Sequence, residues 1–107
     1  MGLDYIGVDI ELPRNIREVF TESYELLIDG LRDLIDKSSG KLIYARIGIG
    51  EFRAEVIITN KLLLSAKLYF GEKLIARGVE AWALLEDLGE TRYAEITYYI
   101  LPAIRIS

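Results

Sequence analysis

Residues 40–88 decide the fold, and they read GKLIYARIGIGEFRAEVIITNKLLLSAKLYFGEKLIARGVEAWALLEDL. Apolar and polar side chains alternate through most of this stretch, and short turns that contain glycine or asparagine separate the alternating runs. A period of two is typical of strands that bury one face, and tight turns join such strands in antiparallel order. The stretch therefore predicts an antiparallel meander of three strands, followed by a short amphipathic helix.

The alternation also predicts which side chains share a face of the sheet. In the first two strands one face carries Ile43, Ala45, Ile47, Ile49, Phe52, Ala54, Val56 and Ile58. After a turn at Asn60-Lys61, we expect the third strand to direct Leu62, Leu64, Ala66, Leu68 and Phe70 to one side and Leu63, Ser65, Lys67 and Tyr69 to the other. Gly78 and Gly89 bracket the predicted short helix, because glycine is common at helix ends.

Further elements are expected on both sides of the meander. Residues 3–12 alternate and predict a strand that Pro13 ends, and residues 91–101 predict a final strand. Apolar residues recur at steps of three and four over residues 16–36, which predicts one long helix with Asn15 as its N-cap. Gly30 weakens the middle of that helix, and the alternative is a break at Asp29-Gly30 that leaves two shorter helices.

These elements together predict the fold class. We expect one α+β domain over residues 1–107, with an antiparallel sheet of about five strands. The long N-terminal helix and the short second helix are expected to pack on one face of that sheet.

Composition excludes several kinds of chemistry. The chain has no cysteine, so disulfides, thiolate nucleophiles and zinc ribbons are absent. It has no histidine either, and histidine is the commonest general base and transition-metal ligand. We therefore expect no cofactor, no metal and no catalytic residue. Glutamine is also absent, and the depletion of thermolabile residues is typical of thermophilic proteins.

The charge balance indicates which partners to expect. The net charge is −4 and the sequence pI is about 4.8, which disfavours binding to phosphate backbones. No apolar run approaches the roughly 20 residues that a membrane-spanning helix needs, and no basic segment precedes an apolar one as in a signal peptide. The sequence thus predicts a cytoplasmic protein that binds neither nucleic acid nor membranes.

Glycine spacing at Gly48-Ile49-Gly50 invites comparison with phosphate-binding loops. A dinucleotide fingerprint needs a third glycine three residues after the second, and a helix must follow it. Position 53 is arginine and a predicted strand follows, so the spacing favours a hairpin turn.

Two groups of side chains are candidates for binding. Arg46 and Arg53 share the outward side of neighbouring strands and could form an anion-binding patch with Arg77, although cross-strand ion pairs would also explain them. A second group is rich in aromatic residues, which are enriched in interface cores. That candidate interface consists of Tyr44, Ile57, Leu63, Tyr69, Tyr93 and Tyr99. The alternative is that the long helix covers these residues.

The order of small and apolar residues resembles a known family. Ser39-Gly40 with Leu42, the run Leu62, Leu64, Ala66, and Gly78 with Ala81 and Leu85 resemble the small prokaryotic DUF4388/DUF2226-type domains over residues 24–101. The chain differs from them at Asn60-Lys61, where those domains have glycine, and in its N-terminal strand. The resemblance implies a regulatory or protein-interaction module and offers no catalytic residues to transfer.

Apolar and aromatic residues on both faces of the strands lead to a functional expectation. We expect a non-catalytic interaction module that associates with a second copy, as a homodimer, or with another protein. The alternative is a domain that binds a small ligand or an anion through arginine and tyrosine residues on the sheet.

Overall fold

The computed structural model describes residues 3–5, 7 and 19–102, and nine elements follow one another along them. The strands are β1 (Asp4–Tyr5), β2 (Val19–Tyr24), β3 (Lys41–Ile49), β4 (Phe52–Thr59), β5 (Leu62–Phe70), β6 (Lys73–Arg77) and β7 (Ala94–Pro102). The helices are α1 (Leu27–Lys37) and α2 (Gly78–Gly89). Neither helix is long and apolar enough to cross a membrane.

One sheet contains all seven described strands. Its order is β1-β5-β4-β3-β7-β2, and β6 pairs with β5 beside β1. Every pair is antiparallel except the short contact between β1 and β5. The predicted α+β class and antiparallel sheet are confirmed, but the sheet has more strands than the five expected. The additional ones are β2 and β6.

The meander β3-β4-β5 has the predicted bounds and turns. Gly50 has a φ of 57° between β3 and β4, where a glycine is needed. Asn60 and Lys61, between β4 and β5, have φ values of 47° and 61°. Positive φ at both central residues is the signature of a type I′ turn, whose twist matches that of antiparallel strands.

The long N-terminal helix predicted over residues 16–36 is wrong. Its first half includes strand β2, and α1 begins only at Leu27 and has 11 residues. Residues 19–24, VFTESY, are rich in β-branched and aromatic side chains, and pairing with β7 overrides the helical spacing. The predicted N-cap Asn15 and most of the predicted strand 3–12 lie outside the described residues.

Gly30 does not break α1. The helix continues through it, and the residue is buried against the sheet. A Cβ atom at this position would lie 2.6 Å from Ile96 Cδ1 and 2.8 Å from Tyr24 Cδ2. Close packing of α1 on β2 and β7 therefore requires glycine here.

Both helices pack on one face of the sheet, here called the helix face. The main core lies between the helices and the sheet, and the helices contribute Leu31, Leu34, Trp82 and Leu85 to it. Gly89 brings α2 close to α1, since a Cβ there would lie 2.8 Å from the backbone nitrogen of Ile28. The opposite side of the sheet, here called the distal face, has a smaller buried cluster of Leu42, Ile57 and Leu64.

A β-bulge changes the predicted faces of β5. The register shifts between Ile57 and Ile58, so that Ile57 pairs with Ser65 and Ile58 pairs with Leu63. Leu63 consequently joins the main core on the helix face, whereas Leu64 belongs to the distal cluster. The alternation predicted for these two residues is reversed, because one extra residue in a strand moves its neighbours to the other face.

Candidate functional site

Strand register sets the order of side chains on the distal face. One row across the sheet consists of Lys67, Glu55, Arg46, Thr97 and Thr21. The next row consists of Tyr69, Arg53, Gly48, Glu95 and Ser23. Gly48 thus lies between Arg53 on β4 and Glu95 on β7, and Arg46 precedes it by two residues on the same strand.

A cleft of about 370 Å³ opens where these two rows meet. It is lined by Arg46, Ile47, Gly48, Arg53, Glu95 and Thr97. Gly48 forms its floor, because a Cβ there would find only the carbonyl oxygen of Glu95 within 4 Å, at 3.9 Å. A larger residue at this position would place its side chain in the open space. The absence of a side chain therefore creates the cleft.

The two arginines of the cleft are exposed and available for a ligand. In the described part of the chain, ion pairs join Arg32 to Asp29 and Lys37 to Glu22, and none involves Arg46 or Arg53. Arg46 faces Glu55 in the register, yet the two groups do not come within ion-pairing distance. Arg53 stacks over the Tyr69 ring at 4.9 Å from its centroid. This contact orients its guanidinium group without neutralising it.

Glu95 gives the cleft a negative side. Tyr93 donates a hydrogen bond from its hydroxyl to Glu95 Oε1 at 3.3 Å. The backbones of Arg53 and Glu95 are two strand spacings apart, which is roughly 10 Å. The cleft is therefore bipolar: the Arg53 guanidinium lies on one side of Gly48 and the Glu95 carboxylate on the other, and Arg46 lies on the strand between them.

Arg77 is not part of this cleft, although the sequence grouped it with Arg46 and Arg53. It pairs with Lys67 on β5, so it lies in the row of Arg46 but three strands away. That separation is roughly 14 Å at the backbone. The structure thus brings Arg46 and Arg53 together and leaves Arg77 at the far edge of the sheet.

The residues of the predicted interface are dispersed by the fold. Tyr44 and Tyr99 contact each other with ring centroids 5.5 Å apart on the distal face, and both are half-buried. Ile57 and Leu63 are buried, at 8% and 1% exposure, and they lie in different clusters. Tyr69 is half-buried beneath Arg53. Of the six residues, only Tyr93 is largely exposed. An exposed face of the predicted composition does not form from these six residues.

A second polar cluster joins β2, β7 and the end of α1 on the helix face. The Glu22 carboxylate accepts hydrogen bonds from Tyr24, from Tyr98 at 3.3 Å and from Lys37 at 3.5 Å. Lys37 also lies 4.7 Å from the centre of the Tyr98 ring, and Phe20 stacks on that ring at 5.2 Å. The cluster fastens the edge strand to the helix.

The ionisation of this cluster follows from its contacts. Hydrogen bonding from Tyr24 lowers the pKa of Glu22, while partial burial opposes the shift. Burial raises the pKa of Tyr24 well above its usual value, and the hydrogen bond to Glu22 raises it further. Burial acts to lower the pKa of Lys37, but Tyr98 and Glu22 outweigh it, and the net shift is upward. Glu22 stays ionised and Tyr24 protonated at neutral pH, which suits a structural role.

The sequence alone does not identify three residues of the distal-face cleft, Gly48, Glu95 and Thr97. The glycine spacing at Gly48 predicts only a hairpin turn, and the sequence does not place Glu95 and Thr97 beside it because the position of β7 next to β3 depends on a distant pairing. The alternation of residues 91–101 predicts which face of the strand Glu95 and Thr97 occupy. It does not predict that β3 is the neighbouring strand. Among the described residues, no group of three or more carboxylates converges as a metal site.

Comparison with known proteins adds no assignment. No family model matches the chain, and no curated protein or solved structure matches it. Functional inference therefore rests on the geometry of the cleft.

Proposed function

We propose that this protein binds a small anion in the distal-face cleft, through Arg46 and Arg53. The observation that carries the proposal is the pair of exposed guanidinium groups beside the Gly48 floor, with no carboxylate of the described residues in ion-pairing range. Guanidinium groups bind carboxylate and phosphate oxygens through parallel hydrogen bonds. A bound anion would also relieve the repulsion between the two cations.

The surroundings of the arginines support an anion rather than an internal partner. Arg46 and Arg53 are diagonal neighbours, about 7–8 Å apart at the backbone, so that both side chains can reach one ligand. Thr97 lines the same cleft, and its hydroxyl is 3.3 Å from that of Thr21, so that a hydrogen bond donated by Thr21 leaves the Thr97 hydroxyl to donate to a ligand. The distal face carries further positive charge at Lys67 and Arg77, although the whole chain has a net charge of −4. The role that follows is a binding one without catalysis.

A titration with inorganic phosphate and with butyrate tests this proposal. Binding to the folded state should raise the melting temperature of the protein at constant ionic strength. Arg46→Gln and Arg53→Gln should each weaken binding about tenfold or more, since a charge-assisted hydrogen bond is lost. Arg92→Gln is a matched control, because Arg92 is exposed in the loop before β7. Wild-type protein that binds neither anion, or two variants that bind as well as the control, would overturn the proposal.

Self-association through the edge strand β2 is a second candidate function. Among the described residues β2 pairs only with β7, and its Val19 and Phe20 side chains are 50% and 41% exposed. An open edge with exposed apolar side chains favours pairing with a strand of a second copy. Sedimentation velocity at micromolar concentration tests it. A dimer that Phe20→Lys dissociates would support this function, and a monomer would count against it.

A further inference from the structure

The cleft is lined by both positively and negatively charged side chains, and this limits the kind of ligand that it can bind. Arg53 and Glu95 lie on opposite sides of Gly48, and Arg46 lies two residues from Gly48 on the same strand, as a diagonal neighbour of both. A simple anion would satisfy the arginines and would be repelled by the carboxylate. A ligand with a cationic group at its other end would instead pair with Glu95.

We infer that the cleft binds a small zwitterion, with its anionic group on Arg46 and Arg53 and its ammonium group on Glu95. This inference rests on the proposed function, since it assigns the same arginines to the anionic end. The ligand lies across Gly48, where no side chain obstructs it.

Three features of the structure carry the assignment of the ammonium group. Glu95 is exposed and has no cationic partner within ion-pairing distance among the described residues. Tyr93 occupies its Oε1 atom with a hydrogen bond of 3.3 Å, which leaves Oε2 for a ligand. Gly48 separates Glu95 from Arg53 in the register, so the two charges do not neutralise each other directly.

The separation of charges sets the length of the ligand. Arg53 and Glu95 are roughly 10 Å apart at the backbone, and both side chains extend from the same face of the sheet. An α-amino acid, whose two charges are separated by a single carbon, spans less of the distance between Arg53 and Glu95. A chain of several carbons between the ammonium and the carboxylate fits better, and γ-aminobutyrate has this form.

A comparison of γ-aminobutyrate with butyrate tests the inference, because the two differ in the ammonium group. Wild-type protein should bind γ-aminobutyrate about threefold to fivefold more tightly, as expected for a partly exposed ion pair. Glu95→Gln should abolish this preference and should bind butyrate more tightly than wild type does, since a repelling charge is removed. Glu95→Asp retains the charge on a shorter side chain and should keep part of the preference.

The possible results separate the inference from the proposed function. If wild type binds butyrate and γ-aminobutyrate equally, or if Glu95→Gln keeps the preference, the zwitterion assignment is wrong and the anion site stands. If wild type binds neither compound nor phosphate, both fail. Butyrate binding by the Glu95 variants shows that their cleft is folded, so that loss of the preference cannot be attributed to unfolding.

Discussion

Gly30 illustrates how a single residue sets the distance between a helix and the sheet. Replacing it with alanine would improve helix propensity by about 1 kcal/mol. The added methyl group would, however, overlap Ile96 on β7 and Tyr24 on β2, and overpacking of this kind costs about 1–3 kcal/mol. We expect Gly30→Ala to lower the free energy of unfolding, as measured by urea denaturation. Asp36→Ala, at an exposed position of the same helix, should change it little. A stabilised Gly30→Ala protein would contradict the packing described.

Glu22 should make stability depend on pH in the acid range. Because the pKa of this carboxyl is lower in the folded protein, its contribution is complete above the unfolded pKa of about 4.3. The contribution is lost as the pH falls from there through the folded pKa. Glu22→Gln should therefore lower the urea midpoint at pH 7, and its difference from wild type should shrink below about pH 4. A difference that stays constant on acidification would show that the charge of Glu22 is not responsible.

Glu55 lies beside Arg46 in the register but outside the cleft lining, and it should weaken anion binding. A carboxylate at about 8 Å from a bound anion repels it by roughly 0.5 kcal/mol in a water-like medium. We expect Glu55→Gln to tighten phosphate binding about twofold, measured by calorimetric titration. Asp87→Gln, on α2, removes the same charge from the other side of the sheet and should leave affinity unchanged. Weaker binding by Glu55→Gln would contradict the assignment of the anion to Arg46.

Ser38 joins two elements, the end of α1 and the turn between β4 and β5. It is buried, and its hydroxyl donates to the Ile35 carbonyl at 2.6 Å and accepts from the Lys61 amide at 2.9 Å. Its carbonyl accepts from the Asn60 amide at 2.7 Å. One residue thus satisfies groups from a helix end and a hairpin.

We expect Ser38→Ala to destabilise the protein by about 1–3 kcal/mol, because the amide of Lys61 would lose its acceptor. The neighbouring Ser39 is exposed, and Ser39→Ala is the matched control that should have little effect. Chemical denaturation followed by the fluorescence of Trp82 measures both variants. Equal stability of the two variants would show that this hydrogen bond is dispensable.

The elements that the sequence predicted correctly are those with local signals. The meander, its turns and α2 have alternating or helical periods bounded by glycine or asparagine, and their bounds could be read directly. The sequence predicts helix over β2 because Val19, Phe20, Ser23 and Leu27 have helical spacing, and only the pairing with β7 makes this segment a strand. The bulge in β5 had no local signal either, since three consecutive leucines fit both registers.

The part of the candidate site that is formed by local pairing could be predicted from the sequence, and the part that is formed by distant pairing could not. Arg46 and Arg53 belong to strands joined by a tight turn, so their proximity followed from the hairpin. The sequence prediction groups Arg77 with them because it does not include β6, which places Arg77 on the far side of β5. Glu95 and Thr97 come from the end of the chain and reach the cleft through a non-local pairing. Sequence periodicity gives the face of such residues but does not identify the neighbouring strand.

Charge is distributed unevenly over the protein. The chain has 17 acidic and 13 basic residues, yet on the distal face Glu55 and Glu95 are accompanied by Arg46, Arg53, Lys67 and Arg77. Interactions between exposed charges are screened over about 10 Å at 0.1 M salt. We therefore expect phosphate affinity to fall several-fold as sodium chloride rises from about 0.05 to 0.5 M. An affinity that does not change with salt would indicate binding at an apolar site instead.

If Arg46 and Arg53 hold a small anion above Gly48, a nuclear magnetic resonance titration will show the contact residue by residue. Phosphate added to ¹⁵N-labelled protein should shift the amide signals of Gly48, Arg53 and Thr97 progressively and saturably. The same signals should remain unchanged in the Arg46→Gln, Arg53→Gln double variant. Shifts confined to other parts of the protein, or identical shifts in the double variant, would contradict the claim.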